Sequence, residues 1–334
     1  MKDTESICAT CLKTIPATVE FEDGVWLNKN CLACGEERVL IEKSEALYKH
    51  FHTAYVPRYN RIAHATCIIP ITNKCNMLCP NCYENLGDGS TDPSIEEIVK
   101  LCKQAHTDSV ILMGAEPTMR EDLPQIIKEI KTKTRKQVYM YTNGLKLYNE
   151  DYCKELRKSG LSILTISLHT INCLAPSKIG FYENKLIAIN NITRNGIIIE
   201  HISFTINFID DLDEILEVMD KLWDKCQHFR IRIPGDIGMS TEGRNIWLSE
   251  LYLAIKTKAR SFEDLQADNN AYHRMMKVNG HTVRLIRWPN IHTIDLQELE
   301  MYPTCIFNKE VGEVNFALGA ILKSALYKKN EKLS

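Results

Sequence analysis

From residue 66 onward, short apolar runs rich in β-branched residues alternate with stretches whose apolar positions recur every three to four residues. That pattern predicts strand–helix–strand units around a parallel sheet. The strands expected are Thr66–Thr72, Ser109–Met113, Gln137–Thr142, Ser162–Leu168, Ile197–Asn207 and His228–Ile233. Between them, Ile95, Ile98, Val99 and Cys102 form one helical stripe, Leu123, Ile126, Ile127 and Ile130 a second, and Ile215, Leu216, Met219, Leu222 and Trp223 a third. Further helices are expected near 149–159 and 181–195. The tail supports only a helix near 246–265 and a strand near 282–288.

The first 60 residues have a different grain. Thr18 to Leu27 reads as two short strands around Asp23-Gly24, a hairpin signal. Cys8-Ala-Thr-Cys11 and Cys31-Leu-Ala-Cys34 flank it as two Cys-x2-Cys knuckles, which is four-thiolate metal spacing. A segment this short cannot build a stable core unaided, so an ion would supply the missing folding free energy. Zinc and iron make the same ligand demands and both remain open. A structural cap is the expected role, with a nucleic-acid finger or an electron relay as the functional alternatives; the mixed charges of residues 36–49 do not make a basic patch.

Three units follow: a four-Cys ribbon (1–60), a core (61–240) and a C-terminal extension (241–334). The fold class is α/β, a partial (β/α)6 TIM-like barrel of parallel strands. In such folds the loops after the strand C-termini carry the chemistry.

Those loops hold the informative residues. Cys75-x3-Cys79-x2-Cys82 follows the first strand, with no fourth cysteine close behind. Three thiolates on a cubane iron–sulfur cluster leave one iron open to a non-protein ligand; a structural zinc loop would need a distant fourth ligand. Gly114-Ala115-Glu116-Pro117 follows the second strand, Thr142-Asn143-Gly144 the third, and Ser167 ends the fourth.

Composition narrows the setting. The chain has 334 residues, with 41 Lys and Arg against 43 Asp and Glu. A net charge of −2 gives no electrostatic reason to expect nucleic acid or an anionic membrane. The start lacks an apolar signal core, and no segment approaches the run of about 18 apolar residues that a membrane span needs, so a cytoplasmic protein is expected. Of 13 cysteines, the seven in short spacings argue for metal ligation rather than disulfides. Cys67, Cys102, Cys153 and Cys226 read as buried small hydrophobes. Cys173, in a long loop after the fourth strand, and Cys305 lie outside such stripes.

On these motifs, over roughly residues 66–235, the chain resembles the radical S-adenosylmethionine (SAM) enzymes. The resemblance implies a [4Fe–4S] cluster on Cys75, Cys79 and Cys82 whose fourth iron is chelated by SAM. It further implies contact of Gly114, Ala115, Glu116 and Pro117 with the SAM amine, and roles for Ser167 and Asn207 in holding ribose and carboxylate. Thr142 and Asn143 would line the cavity floor. Alanine at 115 departs from the family's second glycine, and Asn81 stands where many relatives carry an aromatic residue, leaving Tyr83 as the adenine candidate. Cys173 and Cys305 become candidate hydrogen-atom donors. The activity implied is reductive cleavage of SAM to a 5′-deoxyadenosyl radical that abstracts hydrogen from a small biosynthetic substrate, leading to epimerisation, coupling or methylation. A flavodoxin- or ferredoxin-like electron donor would serve it. The ribbon-plus-barrel arrangement is similar to archaeal dihydropterin dimethyltransferases and lipid tetraether synthases. The alternatives are a non-catalytic iron–sulfur or zinc protein and a peptide-modifying radical SAM enzyme. Arg284, Arg287, Trp288, His292 and Tyr302 are the polar and aromatic candidates for shaping a pocket.

Overall fold

The computed structural model describes residues 1–53, 66–79, 82, 84, 86–168, 179–235, 246–270, 272–299, 304–308, 312–315, 321–322 and 325. Two sheets organise them. The ribbon is a four-stranded antiparallel sheet of β1 (Lys2–Ile7), β2 (Thr14–Phe21), β3 (Val25–Cys31) and β4 (Gly35–Glu42) in sequence order, followed by α1 (Glu45–Thr53). The expected hairpin is β2–β3, with Phe21 opposite Val25 across the Asp23-Gly24 turn. Strand alternation places Ala17, Val19, Val25 and Leu27 on the face that Tyr48 of α1 covers.

The large sheet contains β5 (Thr66–Thr72), β6 (Ser109–Gly114), β7 (Gln137–Thr142), β8 (Ile163–Ser167), β9 (Ile198–Thr205) and β10 (His228–Ile233), all parallel and neighbouring in chain order. The connecting helices are α2 (Ile95–Gln104), α3 (Leu123–Thr134), α4 (Glu150–Ser159), α5 (Ile179–Arg194) and α6 (Leu212–Lys221). This is the partial (β/α)6 barrel that the periodicity predicts.

The tail adds to it at both ends. After α7 (Leu248–Lys258), β11 (Phe262–Asn270), β12 (His273–Val278) and β13 (His281–Arg287) form an antiparallel meander, and β13 docks parallel to β10. Past the short α8 (Leu296–Leu299), β14 (Thr304–Asn308) docks parallel to β5 and pairs with β15 (Gly312–Asn315). The helix expected over 246–265 therefore stops at Lys258 and gives way to β11. The third helical stripe also ends early. Leu222 is the C-cap of α6, and Trp223, beyond it, is 61% exposed rather than core.

The core lies between the sheet and its helices. Ile69, Ile71, Leu112, Val138, Met140, Leu164, Ile166, Ile202, Phe204, Phe229 and Ile231 point into it, interleaved with the helical stripes. Residues of the opposite parity face the barrel interior, where Ile68, Ile111, Met113, Tyr139 and Tyr141 cluster.

Candidate functional site

The four ribbon thiols, Cys8, Cys11, Cys31 and Cys34, lie within 4.8 Å of one another. Cys11 Sγ is 3.7 Å from Cys31 Sγ, close to the ~3.8 Å edge of a tetrahedron built on ~2.3 Å metal–sulfur bonds. The donor set fits a zinc ion. Burial raises the Cys8 thiol pKa, but backbone N–H groups of Cys11 and Thr10 more than offset this and bring it down to about 6.

The second thiol group begins where β5 ends. Thr72 and Asn73 anchor the loop: Thr72 Oγ1 donates to Asp92 (2.6 Å), the Asn73 amide to the same carboxylate (3.0 Å), and the Lys74 amide to Thr72 Oγ1 (3.0 Å). Cys75, Cys79 and Cys82 are half-buried thiols outside any disulfide. The Met77 amide donates to Cys75 Sγ at 3.3 Å and Asn143 Nδ2 lies 3.8 Å from the same sulfur. Sulfur-directed donors of this kind suit cluster thiolates. Burial pushes the Cys82 thiol up to about 12, with the charges of Cys79 and Glu84 adding to it; a bound metal reverses that preference.

The element after β6 clasps this loop from beside it. Gly114 has φ +122°, and a Cβ there would stand 2.2 Å from the Thr72 carbonyl oxygen, so only glycine fits. Ala115 donates its amide to that same oxygen at 2.9 Å, and Glu116 donates to the Lys74 carbonyl at 3.0 Å. The strict glycine requirement thus falls on 114, and position 115 accepts a methyl. The Glu116 side chain is fully buried. Its Oε1 accepts from the Thr118 amide (3.1 Å), Thr118 Oγ1 (2.6 Å) and Thr142 Oγ1 (2.7 Å), and its Oε2 from the Asn143 amide (2.6 Å). This carboxylate is a strut joining the ends of β6 and β7. Asn143 passes the connection on by donating to Asn76 Oδ1 at 2.8 Å. Cys75, Gly114, Glu116, Thr142 and Asn143 therefore form one hydrogen-bonded unit.

Ser167, at the end of β8, joins through Lys185, a residue the sequence reading missed. Lys185 projects from α5, is fully buried, and donates to the Ser167 carbonyl at 2.8 Å. Burial pulls its ammonium down to about 8, while Cys79, Glu116 and Cys75 push it back up, which places it in the field of the cluster thiols. A lysine interrupting an otherwise apolar helix stripe was the available signal. Asp92 and Asn73 carried none beyond turn propensity. Asn207 follows β9 on the same end of the sheet, with its amide donating to Asp211 at 3.3 Å.

Cys305 lies on β14, opposite Cys67 of β5. Cys173, Tyr83 and Tyr302 fall outside the described residues. Cys67, Cys102, Cys153 and Cys226 are buried, as expected of small hydrophobes. Arg287 turns away from the cluster loop: it donates to the Ile41 carbonyl of the ribbon (2.7 Å) and stacks on Trp247 (4.2 Å). His292 likewise meets Glu37 of the ribbon at 2.6 Å. A small cleft between ribbon and tail, lined by Ile41, Tyr48, Tyr272, Arg287, Trp288 and Asp295 among others, shares no lining residue with the cluster loop. No helix among the described residues is long and apolar enough to cross a membrane.

Comparison with known proteins agrees with this geometry. Residues 69–222 match the radical SAM superfamily, and residues 1–43 match the HMPTM N-terminal zinc ribbon domain. The 7,8-dihydro-6-hydroxymethylpterin dimethyltransferase of Methanocaldococcus jannaschii is 30% identical over 200 residues, covering 51% of this chain and 40% of that protein. The GTP 3′,8-cyclase of Aquifex aeolicus is 35% identical over 113 residues, covering 31% of this chain and 35% of its own length. The chain thus spans well under two thirds of these relatives. Streptococcus suis SuiB bound to S-adenosylmethionine superposes with a TM-score of 0.49 at 14% identity, covering 90% of this chain and 84% of that one.

Proposed function

We propose that this chain, which carries a radical SAM domain behind an HMPTM-type zinc ribbon, is a radical SAM enzyme acting on a small biosynthetic substrate. The carrying observation is the hydrogen-bonded unit that ties Cys75 through Asn143 to Glu116 and Thr142. Three thiols on one loop, Cys75 among them with two sulfur-directed donors, set beside a glycine-tight turn at the C-terminal end of a parallel sheet, are what a cluster and its SAM ligand require. Cys75, Cys79 and Cys82 would hold a [4Fe–4S] cluster, which would supply the electron for reductive cleavage of SAM and so the radical chemistry on substrate.

The chain's own residues do the positioning. Glu116 acts through the backbone it holds: its carboxylate already accepts four hydrogen bonds from the protein, so polar contact with a SAM amine falls largely to the backbone of the Gly114–Glu116 turn. Lys185 sets a positive charge behind the Ser167 carbonyl, close to where the carboxylate of SAM would lie. Ser167 and Asn207 serve ribose and carboxylate, Tyr83 the adenine, and Cys173 or Cys305 is the candidate hydrogen donor. The ribbon-plus-barrel arrangement shared with the dimethyltransferase supports methylation over epimerisation or coupling. A flavodoxin- or ferredoxin-like protein in the cytoplasm would deliver the electron. Anaerobically reconstituted protein should convert SAM to 5′-deoxyadenosine with dithionite, and Cys79→Ala should abolish it. An unchanged rate in that variant would remove the proposal.

A further inference from the structure

The barrel interior is not uniformly apolar. On the β5–β7 side it holds Ile68, Ile111 and Met113. On the β9, β10 and β13 side it is cationic. Phe229, Ile231, Ile233, Val283 and Leu285 point into the helix-covered core, so alternation turns Arg230, Arg232 and Arg284 inward. Arg230 confirms the direction, because its Nη1 donates to Tyr141 Oη of the interior cluster at 3.1 Å, reaching across from β10 to β7. Arg230 and Arg284 are register partners on adjacent strands, as are Arg230 and Ser203. His201 and His228 sit 6.0 Å apart beside them. The register slips between Leu164 and Thr165 against β9, so that Leu164 opposes Ile199 while Thr165 opposes His201. Glu200 is the residue passed over, and it lies 3.4 Å from His201 Nδ1. It is the single carboxylate that β9, β10 and β13 contribute.

Like charges directly opposite each other across a strand pair oppose folding. Neither Arg230 nor Arg284 belongs to the helix-facing core, and the charge of Glu200 lies in the field of both. Arg284 spends its Nε on the thioether of Met275 at 3.2 Å, a weak acceptor. Burial drives His201 down to about 4, with Arg230 and Arg284 adding to it against the opposing pull of Glu200. Planar guanidinium groups that share one half-buried inner face match the oxygen geometry of phosphate and carboxylate.

We propose that the inner face of β9, β10 and β13, through Arg230, Arg232 and Arg284, binds an oxyanion group of the substrate, so that the enzyme acts on an anionic molecule. This rests on the radical SAM reading and narrows it. The bound anion would neutralise the arginine pair, while the remainder of the substrate extends toward the strand C-termini where Ser167 and Asn207 stand.

Calorimetric titration of the reconstituted holoprotein with pyrophosphate and, separately, with succinate tests it. Wild type should bind at least one of the two, the tighter naming phosphate or carboxylate, and Arg230→Gln and Arg284→Gln should each weaken that binding tenfold or more. Arg284→Lys, which keeps the charge and loses the fork, should weaken it at least threefold and decides the matter should the glutamine variants fail to fold. Absence of binding of either anion by wild type at millimolar concentration, or unchanged affinity in the folded variants, overturns the site. A parallel assay of 5′-deoxyadenosine separates the two readings: anion binding without SAM cleavage sinks the activity and leaves the site, and cleavage without anion binding sinks the site alone.

Discussion

The molecule carries two cysteine centres, and they are built in opposite ways. In the ribbon, four thiols on two knuckles close within 4.8 Å on themselves, and the antiparallel sheet around them exists to bring the knuckles together. In the barrel, three thiols sit on one loop, and the Glu116 amide past β6, the Asn143 side chain past β7 and Asp92 hold that loop open-handed. A closed set satisfies an ion and stops there; an incomplete set leaves a coordination position for chemistry. The same residue type thus serves folding in one place and, on the proposed function, reaction in the other, and the supporting shell differs accordingly.

The sharpest way to break this contrast is to remove one thiol from each. Cys31→Ser should release the ribbon's zinc, whose binding contributes on the order of 10 kcal/mol in sites of this kind, and melt the ribbon; Cys79→Ala should abolish iron incorporation while zinc stays at one per chain. Metal analysis of both variants would show this, and loss of iron on releasing zinc would mean that the centres are not independent.

Next in size is Gly114→Ala. With the new methyl aimed at the Thr72 carbonyl at 2.2 Å, the turn must shift, and chemical denaturation should report a loss of about 3 kcal/mol. Ala115→Gly, one residue on, should cost less than about 1 kcal/mol, and equal costs at the two positions would refute the assignment of the strict glycine to 114.

Acid stability probes the barrel interior. His201 has its pKa lowered to about 4 by burial and by Arg230 and Arg284, so the unfolded chain takes up its proton first as pH falls. Its contribution is intact above the unfolded value of ~6.5 and is lost progressively down to pH 4, a total on the order of 3 kcal/mol. His201→Gln should therefore flatten the difference in unfolding free energy between pH 7 and pH 4.5.

A more modest loss than those at Gly114 and His201 is expected of Glu116→Gln in the strut. One oxygen becomes a donor facing donors, costing about 1–3 kcal/mol. Denaturation would measure it, and SAM binding should weaken with it as Asn143 loses its anchor.

Much of the fold was legible because β5 to β10 and their helices obey single periodicities, and because the cysteine loop, Gly114–Pro117 and Thr142–Asn143 fall at strand ends, where a parallel sheet gathers them. The parts not legible have physical reasons. Strand β4, Gly-Glu-Glu-Arg-Val-Leu-Ile-Glu, is polar along much of its length because it is the edge of a small sheet. Strands β14 and β15 gain their places only by docking beside β5, a contact with no local signature. The alternation His-Phe-Arg-Ile-Arg-Ile in β10 showed that arginines share a face; topology alone made that face the interior. Lys185 looked like an ordinary helix lysine until the helix was laid against β8.

The ribbon's attachment has a further consequence, for the order in which the protein is made. Thr4 hydrogen-bonds Asp295, Ser6 the Ile294 carbonyl, and buried Lys29 the Ile291 carbonyl. A nascent chain emerging from the ribosome can load its zinc early, yet the outer edge of that loaded module has no partner until some 290 residues later in synthesis. The ribbon leaves the tunnel well before the tail that seats it, and the metal must keep it presentable in the interval.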